Sequence, residues 1–342
     1  MQSRTEVFDL GPHDMIVQHR NPELGIELAL AVHRIRNGRA IGGCRVRDYG
    51  CIAGAISDAL QLSHAMSQKN LLAQVPFGGA KMVVNADPRT AKNPLMLHAI
   101  GDFVERFGGL YVTAPDSGIS SDDLEAIAER TPWVVGFRRP AAAYTSAGVR
   151  VAIEATIEHL NGRRGLAGAS VLVQGVGNVG SALVRRLRED GAHVYISDVD
   201  ESRVQALSAA TGATAVRRGS ETEYEVDVFA PCGLGGVLTE EFSAALRARS
   251  VCGAANNQLP DKGVADLLRE RGILYAPDFV ANSGGVIAGA QEIIGFDEDS
   301  VAGAIHGISG TLHEIFERAD SSGSSTVEVA SSIARERLAQ QG

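Results

Sequence analysis

Two sets of residues in this 342-residue chain have the types and spacing to do chemistry. The first is Gly175-Val176-Gly177-Asn178-Val179-Gly180, a G-x-G-x-x-G run. Glycine triplets arise by chance in a chain with 39 glycines, so the flanks decide what this one means. Val171-Leu172-Val173-Gln174 precedes it as an apolar strand, residues 181–188 follow it as a helix, and a second strand at 193–197 leads into Asp198. That is the arrangement of a dinucleotide-binding turn. Gly175 permits the tight turn, Gly177 lets backbone N–H groups reach a pyrophosphate, and Gly180 lets helix and strand close on each other. Asn178 and Val179 complete the turn, where the helix N-terminus adds positive partial charge. Asp198 can accept both ribose hydroxyls and repels a 2′-phosphate, which points to NAD rather than NADP.

A dinucleotide implies hydride transfer, and the second set lies where the other reactant would be held. Gly42-Gly43-Cys44-Arg45 precedes a helical run that ends at Met66-Ser67-Gln68-Lys69-Asn70. Lys81 closes the segment Pro76-Phe77-Gly78-Gly79-Ala80-Lys81, and Asp116 closes Tyr111-Val112-Thr113-Ala114-Pro115-Asp116 at the end of an expected strand.

Positioning these groups takes an alternating α/β chain. In the first part, strands are expected at 26–32, 81–84 and 110–112. Helices are expected at 52–66, 95–107 and 124–130, the last opened by a Ser120/Asp123 capping box. Residues 136–143 read as a crossing between domains, with a helix following at 148–160. Strands at 171–174, 194–197, 227–230, 251–253 and 273–275 then recur at the spacing of βαβ units. From Gly284 the chain reads as helices, with a loop at 320–325. The expected fold is α/β with two domains and a cleft between them. Residues 1–140 are expected to form the substrate-binding domain and 141–319 the Rossmann NAD-binding domain.

Composition excludes several classes. The balance of 32 Lys+Arg against 41 Asp+Glu is −9, with no basic stripe, which argues against nucleic acid or an anionic membrane as partner. No apolar run is long enough to span a bilayer. The first residues lack the apolar stretch of a signal peptide, so a cytoplasmic location is expected. Cys44, Cys51, Cys232 and Cys252 contain no C-x-x-C pair and read as small buried hydrophobes. His33, His64, His98 and His193 read as isolated core or surface residues, and no metal site is expected. Asp200 reads as a solvated turn residue.

The lysine and aspartate segments, in this order, resemble the amino acid dehydrogenase superfamily of the leucine, valine, phenylalanine, tryptophan and glutamate enzymes. The leucine, phenylalanine and tryptophan branch is the nearest in pattern. The resemblance runs from about Ile26 to beyond Glu292 and includes residues 229–236, 253–259 and 275–286. It implies reversible, NAD-dependent oxidative deamination of an L-amino acid to its 2-oxo acid and ammonia by a homo-oligomer, with 1–140 as the substrate-binding and oligomerisation domain and a last helix, about 320–342, packing back on it. It also implies roles. Lys69 would hold the substrate carboxylate, helped by the backbone of Gly42 and Gly43. Lys81 would polarise the developing 2-oxo group and activate the attacking water, and Asp116 would shuttle protons to and from the amino nitrogen. Thr145 and Asn256 match positions beside the nicotinamide carboxamide and ribose, and Ala230 and Pro231 match the segment lining that ring.

Ile41 stands where the glutamate members carry a lysine. A second substrate carboxylate would be buried there without a partner, so an apolar substrate side chain is expected, lined by Ile41, Met66, Val286 and Gly289. Gly289 stands where the leucine enzymes carry a valine, which implies a pocket enlarged for bulky or aromatic substrates. Two alternatives stand beside this one: a member specialised for a biosynthetic aryl or indolyl 2-oxo acid, and a non-catalytic NAD-binding regulator.

Overall fold

The computed structural model describes residues 4–8, 11–139 and 141–340. By contacts the chain divides into two units, Met1–Pro140 with Ala288–Asp297, and Ala141–Ile287 with Glu298–Gly342.

The first unit contains β1 (Arg4–Phe8), β2 (Met15–Asn21), β3 (Ile26–Val32), β4 (Ala40–Arg47), α1 (Ile52–Leu72), β5 (Gly78–Asn85), α2 (Pro94–Glu105), β6 (Tyr111–Pro115) and α3 (Ser121–Ala128). Its sheet has the order β1-β2-β3-β5-β4-β6. Strands β1, β2, β3 and β5 pair antiparallel, whereas β4 pairs parallel with both β5 and β6. Successive side chains of a strand point to opposite faces, and the two faces here have different tasks. Ala40, Cys44, Val46, Met82 and Tyr111 pack into a core with Ile100 and Phe103 of α2 and Leu124 and Ile127 of α3. On the other face Ala29, Ala31 and Val83 pack under Ala55 and Ala59 of α1. Small residues let α1 lie low on the sheet: a Cβ on Gly79 would fall 2.1 Å from the Ser67 nitrogen. The capping box of α3 is present as the Ser120/Asp123 pattern predicts.

The second unit contains α4 (Ala141–Asn161), β7 (Ser170–Gln174), α5 (Asn178–Glu189), β8 (His193–Ser197), α6 (Glu201–Thr211), β9 (Thr214–Ala215), β10 (Val228–Pro231), α7 (Glu240–Ala245), β11 (Ser250–Val251), α8 (Lys262–Glu270), β12 (Leu274–Tyr275) and α9 (Asp278–Ala281). It is completed by α11 (Glu298–Ser322) and α12 (Thr326–Ala339), while the intervening α10 (Gly284–Ile294) contributes residues to both units. All six strands are parallel, in the order β12-β11-β10-β7-β8-β9. Chain order reverses between β7 and β10, the topological switch point of a doubly wound sheet. Val171, Leu172 and Val173 are buried with the sheet covered on both faces, which explains their unbroken apolar run.

Several expectations are corrected. Helix α12, expected with the first domain, is grouped with the second unit: Thr326 Oγ1 donates to the Tyr275 carbonyl at 2.7 Å, and Val327 packs on the cluster that holds Val264 and Leu268. The loop expected at 320–325 is partly helix, because α11 continues through Ser322 and breaks only at Gly323, in the left-handed region at φ +69°. Helix α4 starts at Ala141, inside the expected crossing segment. Cys51 is exposed and N-caps α1, unlike the buried Cys44 and Cys252. Asp200 caps α6 by accepting from the Ser202 and Arg203 nitrogens. Among the described residues no helix is long and apolar enough to cross a membrane.

Candidate active site

In the first unit the site is built where β4, β5 and β6 run side by side. The β4–β6 pairing sets Gly43 opposite Ala114, two residues before Asp116, and the β4–β5 pairing sets Cys44 opposite Met82, next to Lys81. The β4–β5 register skips Gly42 and Gly43, and the Tyr111 hydroxyl donates to the Gly42 carbonyl at 2.9 Å. Neither glycine could carry a side chain. A Cβ on Gly42 would lie 1.6 Å from the Ala80 carbonyl oxygen, and one on Gly43 would lie 2.8 Å from Asp116 Cβ and 3.3 Å from Lys81 Nζ.

Lys81 is 5% exposed, and its Nζ lies 2.6 Å from Asp116 Oδ2. The same oxygen accepts from Arg45 Nε at 2.9 Å. Arg45 Nη1 in turn donates at 2.9 Å to Asp58 Oδ2 on α1, an oxygen that also accepts the Tyr49 hydroxyl. Burial pushes the Lys81 ammonium below its ordinary pKa; Asp116 opposes this and Arg45 adds to it. Burial alone would raise Asp116, but the Lys81 and Arg45 cations outweigh it and hold the carboxyl below the usual carboxylate range. The pair therefore offers a lysine eased toward neutrality in direct hydrogen-bond contact with an ionised carboxylate. A proton can pass between them without solvent.

Lys69 and Met66 are three residues apart on α1 and so share a side of it. Two bonds fix that end of the helix to β5. The Gly79 nitrogen donates to Ser67 Oγ at 3.1 Å, and Asn70 Nδ2 donates to the Gly78 carbonyl at 2.8 Å. Lys69 thus sits between two anchors tied to the strand that carries Lys81.

Ile41 and Gly289 are neighbours, together with a residue that sequence reasoning missed. A Cβ on Gly289 would lie 3.3 Å from Val135 Cγ2, 3.8 Å from Val135 Cβ and 4.0 Å from Ile41 Cδ1. The Gly136 nitrogen donates to Glu292 Oε2 at 3.3 Å, holding this stretch of α10 beside 135–136. The space freed at Gly289 is therefore bounded by Val135, which corrects the simple picture of a valine-sized vacancy. Val286, half-buried on the same helix, falls in the second unit.

In the second unit the glycine turn lies at the switch point. A Cβ on Gly175 would fall 2.5 Å from the Gly233 nitrogen, and one on Gly180 would fall 1.9 Å from the Gly175 carbonyl oxygen. Gly177, the N-cap of α5, has open space where its side chain would be, so a ligand can approach the backbone there. Asn178 and Val179 form the first turn of α5. Asp198 pins this turn: its Oδ2 accepts from the Val176 nitrogen at 2.6 Å and its Oδ1 from the Asp200 nitrogen at 2.9 Å. A carboxylate has lone pairs left for further donors after two such bonds. Beside it lies a cavity of about 350 Å³ lined by Gly175, Asp198, Val199, Arg218, Glu221 and Gly233. An open glycine at a helix N-terminus, with a carboxylate-edged cavity adjoining, fits a dinucleotide.

Ala230 and Pro231 end β10 in full burial. The Ala255 nitrogen donates to the Pro231 carbonyl at 2.9 Å, placing Asn256 at the same strand ends. Asn256 Oδ1 accepts from Asn282 Nδ2 at 2.8 Å, and Thr145 Oγ1 lies 2.9 Å from where a Cβ of Gly285 would stand. The cofactor-side candidates Thr145, Ala230, Pro231 and Asn256 all lie in the second unit.

The histidines are less isolated than their sequence contexts imply. His33 stacks edge-on between His13 and His64, with ring centroids 5.1 and 4.7 Å away. Burial, reinforced by these neighbours and Arg34, pushes His33 down to about 3. His98 pairs with Glu129 at 2.8 Å.

A doubly wound dinucleotide unit, joined to a unit holding a buried lysine paired with an aspartate, defines a nucleotide-dependent dehydrogenase. Residues 26–133 match the Glu/Leu/Phe/Val dehydrogenase dimerisation domain, and residues 138–202 and 195–341 match the glutamate/leucine/phenylalanine/valine dehydrogenase domain. The chain is 34% identical to a phenylalanine dehydrogenase of Bacillus thermotolerans, over all of this chain and 92% of that one. It is 40% identical to a valine dehydrogenase of Streptomyces virginiae, over 96% and 95% of the two chains. The crystal structure of an L-tryptophan dehydrogenase from Nostoc punctiforme superposes with a TM-score of 0.87 at 37% identity, covering 96% of each chain. The chain belongs to the Glu/Leu/Phe/Val dehydrogenase family, and its enzyme class is amino acid dehydrogenase.

Proposed function

We propose that this enzyme catalyses the reversible, NAD-dependent oxidative deamination of an apolar L-amino acid to its 2-oxo acid and ammonia. The observation that carries the reading is the pairing of buried Lys81 with half-buried Asp116 beside Gly43, with Lys81 Nζ 2.6 Å from the carboxylate. Bound NAD would supply the chemistry of hydride acceptance, and Gly175, Gly177, Gly180 and Asp198 are the residues to hold it. Asp198 favours NAD over NADP, because a 2′-phosphate would meet its negative charge.

The chain's own residues then have these tasks. Lys69 and the Gly42–Gly43 backbone bind the substrate α-carboxylate. Asp116 accepts a proton from the substrate ammonium, so that the Cα–H can leave as hydride and the Cα–N bond becomes an imine. Lys81, eased toward neutrality by burial, takes a proton from the water that attacks the imine carbon. Asp116 returns its proton to the departing amine and, ionised again, takes the hydroxyl proton as ammonia leaves and the carbonyl forms. Ile41 excludes a charged substrate side chain, for lack of a buried cation to pair with it. The phenylalanine, valine and tryptophan enzymes among its relatives support an apolar substrate. Assembly as a homo-oligomer through the first unit is supported by the description of its matching model as a dimerisation domain. Cytoplasmic operation fits the four unpaired cysteines.

The test is NADH formation at alkaline pH with leucine, valine, phenylalanine, tryptophan and glutamate, repeated with NADP. Turnover with apolar substrates and none with glutamate is expected. Clear NAD binding without turnover on any of them would refute the reading. Lys81→Ala is expected to abolish turnover while leaving NAD affinity within about twofold.

A further inference from the structure

The proton carrier assigned above does not stand alone with Lys81. Arg45 follows Gly43 by two residues on β4 and shares the face of the sheet that Gly43 turns toward Asp116. Its guanidinium bridges two carboxylates, with Nε on Asp116 Oδ2 and Nη1 on Asp58 Oδ2, both at 2.9 Å. The Tyr49 hydroxyl donates to that same Asp58 oxygen. A continuous chain of bonds, Tyr49–Asp58–Arg45–Asp116–Lys81, thus ties α1 to the reactive pair. We propose that Arg45 is a positioning residue for catalysis: it fixes the orientation of the Asp116 carboxylate, keeps it ionised, and couples it to the helix that presents Lys69. This rests on the assignment of Asp116 as proton carrier.

The geometry explains why the residue is arginine. Asp116 directly follows β6, and a single lysine contact would leave its carboxylate free to rotate about the Cβ–Cγ bond. Two donors from different strands converge on one oxygen, Lys81 from β5 and Arg45 from β4, and this sets the carboxylate plane. A lysine at position 45 could reach one carboxylate but not span both, because only the guanidinium offers donors in a rigid fork. The charge count also needs it. Lys81 is the one other cation bonded to Asp116 among the described residues, and its charge is what burial erodes. While Lys81 is neutral, before it takes a proton from the attacking water, Arg45 remains to hold Asp116 as the carboxylate that accepts the substrate's proton. The other titratable groups around the pair include Cys44 beside Lys81, Tyr111 on β6, and Asp58 with Tyr49 behind Arg45.

The test compares Arg45→Gln and Arg45→Lys with Asp116→Asn and the parent enzyme, in kcat, substrate KM, NAD affinity and the pH profile of kcat/KM. Arg45→Gln is expected to lower kcat by roughly 10- to 100-fold, within the range of general acid–base effects, with NAD affinity unchanged within twofold. It is also expected to move the acid limb of the profile to higher pH. Removing a positive charge raises the Asp116 pKa, so ionised Asp116 is lost at a higher pH as the medium is acidified. Arg45→Lys retains the charge but not the fork, and should restore the limb more fully than it restores kcat. A purely structural role predicts a lower thermal midpoint with the limb unmoved in both variants, and that result would overturn the proposal. So would parent-like kcat and pH profile in a folded Arg45→Gln enzyme. If Arg45→Gln does not fold, Arg45→Lys decides by its kcat: parent-like turnover overturns the need for the fork. Asp116→Asn separates the two claims. Activity retained there sinks the proton-carrier assignment itself, whereas loss of activity there with a silent Arg45 series sinks only the positioning role.

Discussion

Substitution of Gly289 by valine tests how the substrate side-chain site is sized. The first added carbon would lie 3.3 Å from Val135 Cγ2 and 4.0 Å from Ile41 Cδ1. That carbon is tolerated with a shift of a few tenths of an ångström. The two γ-carbons have no such room toward Val135 and must turn into the space over Ile41, which is where the proposed reading puts the substrate side chain. One methylene of misfit in an apolar pocket changes discrimination by about 1–3 kcal/mol. Two methyl groups that remove room from an aromatic ring but spare a shorter chain should therefore lower kcat/KM for phenylalanine at least about tenfold relative to valine. Overpacking should also cost about 1–3 kcal/mol of stability, so the thermal midpoint must be measured beside the kinetics. The assay is kcat/KM for valine, leucine and phenylalanine at saturating NAD, on parent, Gly289→Val and Val135→Ala enzymes. Trimming Val135 should shift the ratio the opposite way, toward phenylalanine. A phenylalanine-to-valine ratio unchanged in both folded variants would show that this corner of the first unit does not meet the substrate side chain.

Two further outcomes follow from the geometry. Asp198→Ala removes both the acceptor of the Val176 N–H and the charge that opposes a 2′-phosphate; it should weaken NAD at least about tenfold and narrow the gap between NAD and NADP, measured as the ratio of their kcat/KM values. An unchanged ratio would argue against Asp198 as the discriminating group. His33, held at about 3 in the fold, titrates near 6.5 when unfolded, so the unfolded chain binds the extra proton between those values and stability falls as pH drops through that window. The penalty is about 1–2 kcal/mol at pH 5, and His33→Phe should flatten the fall of the thermal midpoint between pH 7 and 5; an identical slope in the variant would rule out His33 as its source.

How much of this was legible in the sequence differs between the two units for physical reasons. The glycine turn is local: strand, turn, helix and Asp198 occupy one βαβ unit, and Gly175 and Gly180 are dictated by contacts a few residues away or at the adjacent strand end. The N-terminal site is not local. Lys81, Asp116 and Arg45 meet only because β4, β5 and β6 lie side by side, and no strand was read at Ala40–Arg47. A central strand that carries a Gly-Gly pair in its middle and an arginine after it shows neither alternation nor a clean apolar run. Without β4 as a strand, the two-residue step from Gly43 to Arg45 has no directional meaning, and the arginine that grips Asp116 passes as an ordinary polar residue. Resemblance supplied roles for Lys69, Lys81 and Asp116, but a residue that acts through another has no signature of its own in a single chain. Val135 and the His13–His33–His64 stack escaped for a related reason: Val135 sits in an irregular stretch, and the three rings are brought together by tertiary packing alone.

The same distinction bears on how the enzyme's properties can vary. The groups assigned to bond-making are held by backbone register and by glycines with no room for a side chain: Gly42 against Ala80, Gly43 against Asp116 and Lys81, Gly79 against Ser67. Changing any of these moves main chain. The residues assigned to substrate size, Ile41, Val135 and Gly289, touch only through side-chain atoms or the space one would fill. A substitution there costs the packing of one or two methyl groups, about 1–3 kcal/mol, and leaves the Lys81–Asp116 distance intact. Selectivity can therefore drift between apolar amino acids at a small cost in stability while the chemistry stays fixed. Acceptance of an acidic side chain is a different matter, because it requires a new buried cation at Ile41, not merely a change of volume.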